Sequence, residues 1–369
     1  MPSAETVWDA LQRWYACGEP AALARVVHTS SSAPRGLGAA MGVTQSGQVV
    51  GSLSGGCIEG DVVALAQEVI DSGTPVTSSY SSDTEDAFAP GLPCGGTVDV
   101  FVEPVDSSLA AVLPTLMDSV RDGDPVALAT VMADAGPRRH LLVGARQSLA
   151  SLGDSRLDHA AIDDVRGLLA SGTTRVVHLG VQGQRRHDEL AVFVQSFGAP
   201  PRMLIFGAND FAAALSGIGQ FLGYRVTVCD ARSTFATAER FPDADEVIVG
   251  WPHHYLAETQ VDASTAICVL THDPKFDVPV LEVALRTDAG YIGVMGSRRT
   301  HADRVSRLRD AGLTAGQVAS LAAPIGLDLG ARTPEETATS IAAEIVAQRW
   351  RGSGTRLSDL DVPVHHDVD

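Results

Sequence analysis

Cysteines and positive charge are both in short supply here, and each shortage removes a class of protein. The five cysteines, at positions 17, 57, 94, 229 and 268, are too few and too scattered for a disulfide framework and suit a reducing cytoplasm. They also lack the close four-cysteine spacing of an iron–sulfur protein. Lys and Arg number 27 against 45 Asp and Glu, which gives a net charge of −18. Such a field repels a phosphate backbone and argues against nucleic-acid binding, although local arginines and helix N-termini still hold a small anion. No apolar run reaches the ~20 residues needed to cross a bilayer. The start, Met1-Pro2-Ser3-Ala4-Glu5, has no basic region ahead of an apolar core, so it does not read as a signal peptide. It leads instead into an amphipathic helical pattern through Val7, Trp8, Leu11 and Tyr15.

What is present is a pair of glycine-wrapped cysteines, in Ser54-Gly55-Gly56-Cys57-Ile58-Glu59-Gly60 and Leu92-Pro93-Cys94-Gly95-Gly96. A structural cysteine packs among hydrophobes and needs no such setting. Glycine pairs permit positive φ and let a ligand approach the backbone. Cys57 precedes a helix beginning near Glu59, whose N-terminal dipole favours thiolate while the Glu59 carboxylate opposes it. Thiolates suit soft metals and sulfur chemistry. Cys94 then reads as a second metal ligand, a sulfur carrier or a disulfide partner. Zinc is the competing reading, but two cysteines 37 residues apart form no close-spaced zinc signature. Cys17, Cys229 and Cys268 read as core or incidental.

The 369 residues favour two domains. Within the first half, residues 61–74 resemble residues 160–173 at a shift of 99. Val100-Phe101-Val102-Glu103 echoes Val192-Phe193-Val194-Gln195, and Ala24-Arg25-Val26-Val27 echoes Ala129-Thr130-Val131-Met132. The pattern predicts a duplicated α/β unit over residues 1–198. At the same shift the Cys57 loop falls on Gly153-Asp154-Ser155-Arg156, so thiol chemistry belongs to the first copy. Glu103 and Arg35 are further polar candidates beside the cysteine loops.

Gly198-Ala199-Pro200-Pro201 reads as a linker. Beyond it, apolar strands at 202–206, 225–229, 246–249, 266–270 and 291–294 alternate with helical patterns. These predict a Rossmann-like doubly wound parallel sheet over residues 199–352, followed by a polar tail at 353–369. Thr333, Pro334 and Glu336 mark the closing helix as N-cap, N1 and capping-box residues. Gly207-Ala208-Asn209-Asp210 stands where a dinucleotide fingerprint belongs, and Asp230 stands where an acidic side chain binds ribose. Asn209, however, replaces the glycine that admits a pyrophosphate, so NAD(P) binding is expected to be weak. Gly296-Ser297-Arg298-Arg299 opens a helix and reads as an anion site. His272 is an acid–base or cofactor-ligand candidate, with His253 and His254 secondary to it.

The segments 29–35, 51–59, 91–104, 271–275, 296–301 and 324–336 together resemble the XdhC/CoxI family of xanthine dehydrogenase accessory proteins. That resemblance implies a chaperone that binds the molybdenum cofactor (molybdopterin), protects it during sulfuration and hands it to a xanthine-dehydrogenase-type molybdenum hydroxylase. A cysteine desulfurase would be a further partner, and a homodimer is the default assembly. On this reading Cys57, Cys94 and His272 are the reactive residues, and the two cysteines are also candidate metal ligands. Arg35, Gly55, Gly56, Glu59, Gly95, Gly96, Gly207, Asn209, Asp230, Arg298 and Arg299 would contact the cofactor, expected to lie in a cleft between the two domains. The alternative is an NAD(P)-binding oxidoreductase or redox sensor.

Overall fold

Alternation along the strands decides the architecture of the first unit. A computed structural model describes residues 6–30, 33, 35–81, 96–133, 139–184, 189–271 and 273–361. The chain divides between residues 199 and 200. The first copy comprises α1 (Val7–Ala16), β1 (Ala21–Ser30), β2 (Ala40–Thr44), β3 (Val49–Gly51), α2 (Glu59–Ser72), β4 (Val76–Ser81) and β5 (Thr97–Pro104). The second repeats it as α3 (Ser107–Asp122), β6 (Val126–Met132), β7 (His140–Gly144), β8 (Ser148–Ala150), α4 (Ser155–Ala170), β9 (Arg175–Leu179) and β10 (Leu190–Phe197). Each copy forms an antiparallel five-stranded sheet, ordered β3-β2-β1-β5-β4 and β8-β7-β6-β10-β9, so the duplication is topological as well as sequential.

Even-numbered Ala22, Ala24 and Val26 of β1 pack under Val62, Ala66 and Val69 of α2, and Ala127, Ala129 and Val131 of β6 pack under α4 in the same way. The opposite faces look at each other. Ala21 and Leu23 share a core with α1, α3 and Val126, Leu128 and Leu142, while Val27, Phe101 and Phe193 close the far end. On α1 the buried stripe is Ala10, Leu11 and Trp14; Tyr15 is exposed, one position off the expected stripe.

Between those apolar patches Glu103 pairs with Arg25 at 2.6 Å and with His140 at 3.1 Å, and all three are buried. Arg25 also donates to Thr130 at 3.0 Å, joining the two sheets. Burial pushes the Glu103 carboxyl up, but His140 and Arg25 outweigh it and hold the group below its ordinary range. Glu103 is thus a structural tie between the copies and not the site residue expected from its place at a strand end.

The second unit is a parallel sheet ordered β13-β12-β11-β14-β15, from β11 (Arg202–Phe206), β12 (Arg225–Asp230), β13 (Glu246–Val249), β14 (Ala266–Val269) and β15 (Tyr291–Val294). Helices α5 (Asp210–Phe221) and α10 (Pro334–Arg349) cover one face. The other is covered by α6 (Pro252–Glu258), α7 (Pro274–Ala284), α8 (Arg298–Asp310) and α9 (Ala315–Ala319). Burial on both faces explains why these strands are almost wholly apolar. Thr333 caps α10 with Pro334 at its first position, and Glu336 completes the capping box. The order reverses between β11 and β14, where sheets of this kind open a crevice. Among the described residues no helix is long and apolar enough to cross a membrane.

Candidate functional site

In the first unit three connections leave one end of the first sheet. Gly51 pairs with Met41, Ala40 with Arg25, and Thr97 with both Ser30 and Ser81. The segments 31–39, 52–58 and 82–96 therefore start or finish at that end. They carry Arg35, Cys57 and Cys94. Arg35 is exposed and Gly96 is buried just before β5. Cys94 and Gly95 lie outside the described residues, as does His272 in the second unit.

The Cys57 loop is built around the Glu59 carboxylate. Its Oε1 accepts from the Ser52 hydroxyl (2.8 Å) and the Leu53 (3.1 Å), Ser54 (2.8 Å) and Gly55 (3.0 Å) amides. Its Oε2 accepts from the Ser54 hydroxyl (2.6 Å) and the Gly56 (2.8 Å) and Ile58 (3.2 Å) amides. Burial raises the group, but the Ser54, Ser52 and Leu53 hydrogen bonds more than reverse this and hold it far below the usual carboxylate range. To wrap an anion in this way, the backbone takes φ of 82° at Gly55 and 121° at Gly56, with nothing crowding either Cα. Conformation, not space, demands those glycines. Cys57 follows, its amide on the Ser54 hydroxyl at 3.0 Å and its side chain exposed. Glu59, expected as a cofactor contact, has both oxygens engaged in shaping the loop that presents the thiol.

The second copy keeps the clasp and drops the cysteine. Asp158 accepts from the Ser151 hydroxyl and the Leu152 amide, each at 2.6 Å, and Gly153 donates to the Ser151 hydroxyl at 2.9 Å. Ser52, Leu53 and Glu59 recur 99 residues later as Ser151, Leu152 and Asp158. Among the described residues no group of three or more His, Cys, Asp or Glu side chains is arranged to hold a metal ion. Cys229 and Cys268 are buried in strands, and burial with Asp230 alongside pushes the Cys229 thiol up to about 12.

In the second unit Gly207 sits at the crevice with φ 114°, and a Cβ there would lie 3.0 Å from the Thr271 amide nitrogen. Asn209 is the α5 N-cap: Oδ1 accepts from Ala212 at 3.0 Å, and Nδ2 donates to the Leu270 carbonyl at 2.8 Å. Asp230 is 2% exposed. Its Oδ2 accepts from the Ala208 amide (2.8 Å) and Arg232 Nη2 (2.7 Å), and its Oδ1 from the Arg232 amide and Nε (both 2.9 Å). Burial raises this carboxyl, yet the Arg232 and Ala208 hydrogen bonds leave it below its ordinary value. A cavity of about 450 Å³ opens here, lined by Asn209, Asp210, Arg232, Phe235, Arg240, Thr271, Asp273 and Lys275 among others. The sequence reading missed Arg232, Arg240 and Lys275. Position alone gave a signal: Arg232 stands two residues after the acidic strand end, and Lys275 is the chain's single lysine.

At the next strand end, Ser297 caps α8 through Thr300 at 3.2 Å, with Arg298 and Arg299 exposed in its first turn. Buried Arg304 reaches back to Asp277 (2.8 Å) and the Met295 carbonyl (3.0 Å), and the Thr271 hydroxyl bonds Asp277. That pair anchors the helix start beneath Gly296.

A model described as the XdhC Rossmann domain matches residues 203–345, and one described as the XdhC and CoxI family matches residues 14–81 and 119–180, one segment in each copy. The chain is 29% identical over 335 residues to a probable xanthine dehydrogenase subunit from Bacillus subtilis, covering 90% of this chain and 94% of the relative. It is 26% identical over 332 residues to the molybdenum cofactor insertion chaperone PaoD of Escherichia coli, covering 90% and 84%. A crystal structure of a xanthine dehydrogenase from Bacillus halodurans superposes with a TM-score of 0.72 at 25% identity, over 96% of this chain and 98% of that one.

Proposed function

Because the chain belongs to the XdhC and CoxI family, we propose that it is a cytoplasmic accessory chaperone for the molybdenum cofactor. On this reading it binds the cofactor as cargo, shelters it during sulfuration and delivers it to a xanthine-dehydrogenase-type hydroxylase. Similarity along 90% of the chain to an insertion chaperone supports the maturation role. The observation that carries the reading is the exposed Cys57 thiol on a loop locked by Glu59, where the corresponding loop of the second copy keeps an acidic lock and has no thiol. A preorganised exposed thiol offers a soft donor to a metal or sulfur group without ordering a loop on binding. Arg35 and Cys94 belong to connections leaving the same sheet end, and they complete the proposed contact surface. A cysteine desulfurase supplies the sulfur, and the protein acts as a homodimer. In the second unit, taken by itself, the crevice and the exposed Arg298 and Arg299 turn are candidate anion sites. An oxidoreductase role draws no support from the crevice, since Asp230, which would bind ribose, is engaged by Arg232 and Ala208.

The test is to purify the full chain from cells that make the cofactor and assay molybdopterin, NAD(P) and zinc together. Added cysteine desulfurase and hydroxylase apoenzyme should then yield active hydroxylase. Stoichiometric NAD(P) without molybdopterin would overturn the reading.

A further inference from the structure

We propose that the crevice of the parallel sheet is a seat for a phosphomonoester dianion, held by Arg232, Arg240 and Lys275, and that it excludes a bridging pyrophosphate. The identity of the rest of the ligand rests on the function proposed above; the seat itself does not.

Three departures from a dinucleotide crevice point the same way. The pyrophosphate position is filled: Asn209 spans from the Ala212 amide at 3.0 Å to the Leu270 carbonyl at 2.8 Å. Asp210 adds a carboxylate to the first turn of α5, where a pyrophosphate would meet it. The ribose position is also spent. Both oxygens of Asp230 are used by Ala208 and Arg232, so hydroxyl groups would have to displace charge-assisted hydrogen bonds.

That same pair prepares a cation. Asp230 grips Arg232 through Nε and Nη2, and the guanidinium lies 4.6 Å from the Phe235 ring, so Nη1 takes no part in the pair. Arg240 packs on the same ring at 5.6 Å. Its carboxylate partner is Asp210 at 3.4 Å, which is 84% exposed, so the pair is worth little and Arg240 can turn to a ligand. Lys275 lines the same cavity, paired with half-exposed Asp273 at 3.1 Å. A monoester carries roughly −1.5 to −2 at neutral pH on three terminal oxygens. Two guanidinium forks and an ammonium match that charge and shape better than they match a diester, with one charge per phosphate. The cavity of about 450 Å³ leaves room for more of the ligand than its phosphate.

Lys275 gives a local readout, because it carries the chain's only lysine amine. Full-length protein is treated with an amine-acylating reagent, and labelling of Lys275 is followed by mass spectrometry under glycerol 3-phosphate, NAD or NADP. Glycerol 3-phosphate should protect Lys275, more weakly as salt rises, and NAD at equal concentration should not. Arg240→Ala should weaken protection roughly tenfold and Asp210→Asn should strengthen it several-fold. Arg232→Ala strips Asp230 of its partner and risks misfolding, so those two variants carry the test once their thermal midpoints match the parent. NADP protecting far below the glycerol 3-phosphate concentration would show that a pyrophosphate is admitted and overturns its exclusion. Protection by NADP no better than by glycerol 3-phosphate identifies the monoester phosphate as the recognised group, with the rest of the nucleotide contributing nothing. NAD protecting as well as glycerol 3-phosphate, or monoester protection unchanged in Arg240→Ala, overturns the seat. Molybdopterin retained by a chain without monoester binding sinks the seat alone; monoester binding without retained molybdopterin sinks the proposed function alone.

Discussion

Gly56 donates its amide to Glu59 at 2.8 Å, one residue before the exposed Cys57. That hydrogen bond exists only because Gly56 holds φ at 121°, so the thiol's position is set by a carboxylate it does not touch.

Glu59→Gln should loosen the loop. The amide offers one acceptor oxygen where the carboxylate offers two, and its NH₂ faces donors. A loss of about 2 kcal/mol is expected in urea unfolding, with faster labelling of Cys57 than in the parent. Unchanged stability and labelling would remove Glu59 from its role.

The clasp also has a pH signature. The native carboxyl lies below its unfolded value of about 4.3, so its stabilisation is complete above that value and is lost as pH falls towards the depressed native one. The stability gap between parent and Glu59→Gln should stay flat from pH 7 to about 5 and shrink below about 4. A gap that persists undiminished in acid would mean that some other group supplies it.

Cys57→Ser should leave the fold alone, because the side chain is exposed. A stability change within about 0.5 kcal/mol is expected, together with a marked fall in molybdopterin retained on purification. A loss of ~2 kcal/mol or more would make the cysteine structural.

Glu103→Ala should cost about 3–5 kcal/mol by leaving Arg25 buried and unpaired. The double variant Arg25→Met with Glu103→Leu should recover most of that in chemical denaturation. If the single variant unfolds like the parent, the tie between the copies is not carried by this pair.

Asn209→Gly should open the pyrophosphate position. Loss of the cap costs a few tenths of a kcal/mol, and NAD(P), bound weakly by the parent, should bind more tightly by calorimetry. Strong parental binding that the variant leaves unchanged would show that Asn209 is no obstacle.

Much of this molecule was readable from residue order. Alternating Ala22, Ala24 and Val26 mark a sheet with one helix-covered face, the doubly buried strands of the second unit appear as short apolar runs, and the repeat at 99 residues appears as two sheets of one topology. Glu103 was misread because its partners, Arg25 and His140, lie 78 and 37 residues away, and a carboxylate at a strand end looks alike whether it meets solvent or a buried guanidinium. For Glu59 the signal was available: Ser52-Leu53 and Glu59 align with Ser151-Leu152 and Asp158, so a feature shared by both copies pointed to scaffolding. Arg232 and Arg240 meet on Phe235 only after the chain folds over it.

The two clasped loops also bear on stoichiometry. A duplicated unit with a thiol in each loop would offer two equivalent mouths per chain, and a ligand bound at one would compete with its twin. With a cysteine in only one of the two loops, Cys57 gives the chain a valence of one for any cargo that needs that thiol. The silent loop still preserves the frame: Asp158 holds Leu152 as Glu59 holds Leu53. Titration with such a cargo should therefore saturate at one equivalent per chain, however many chains assemble.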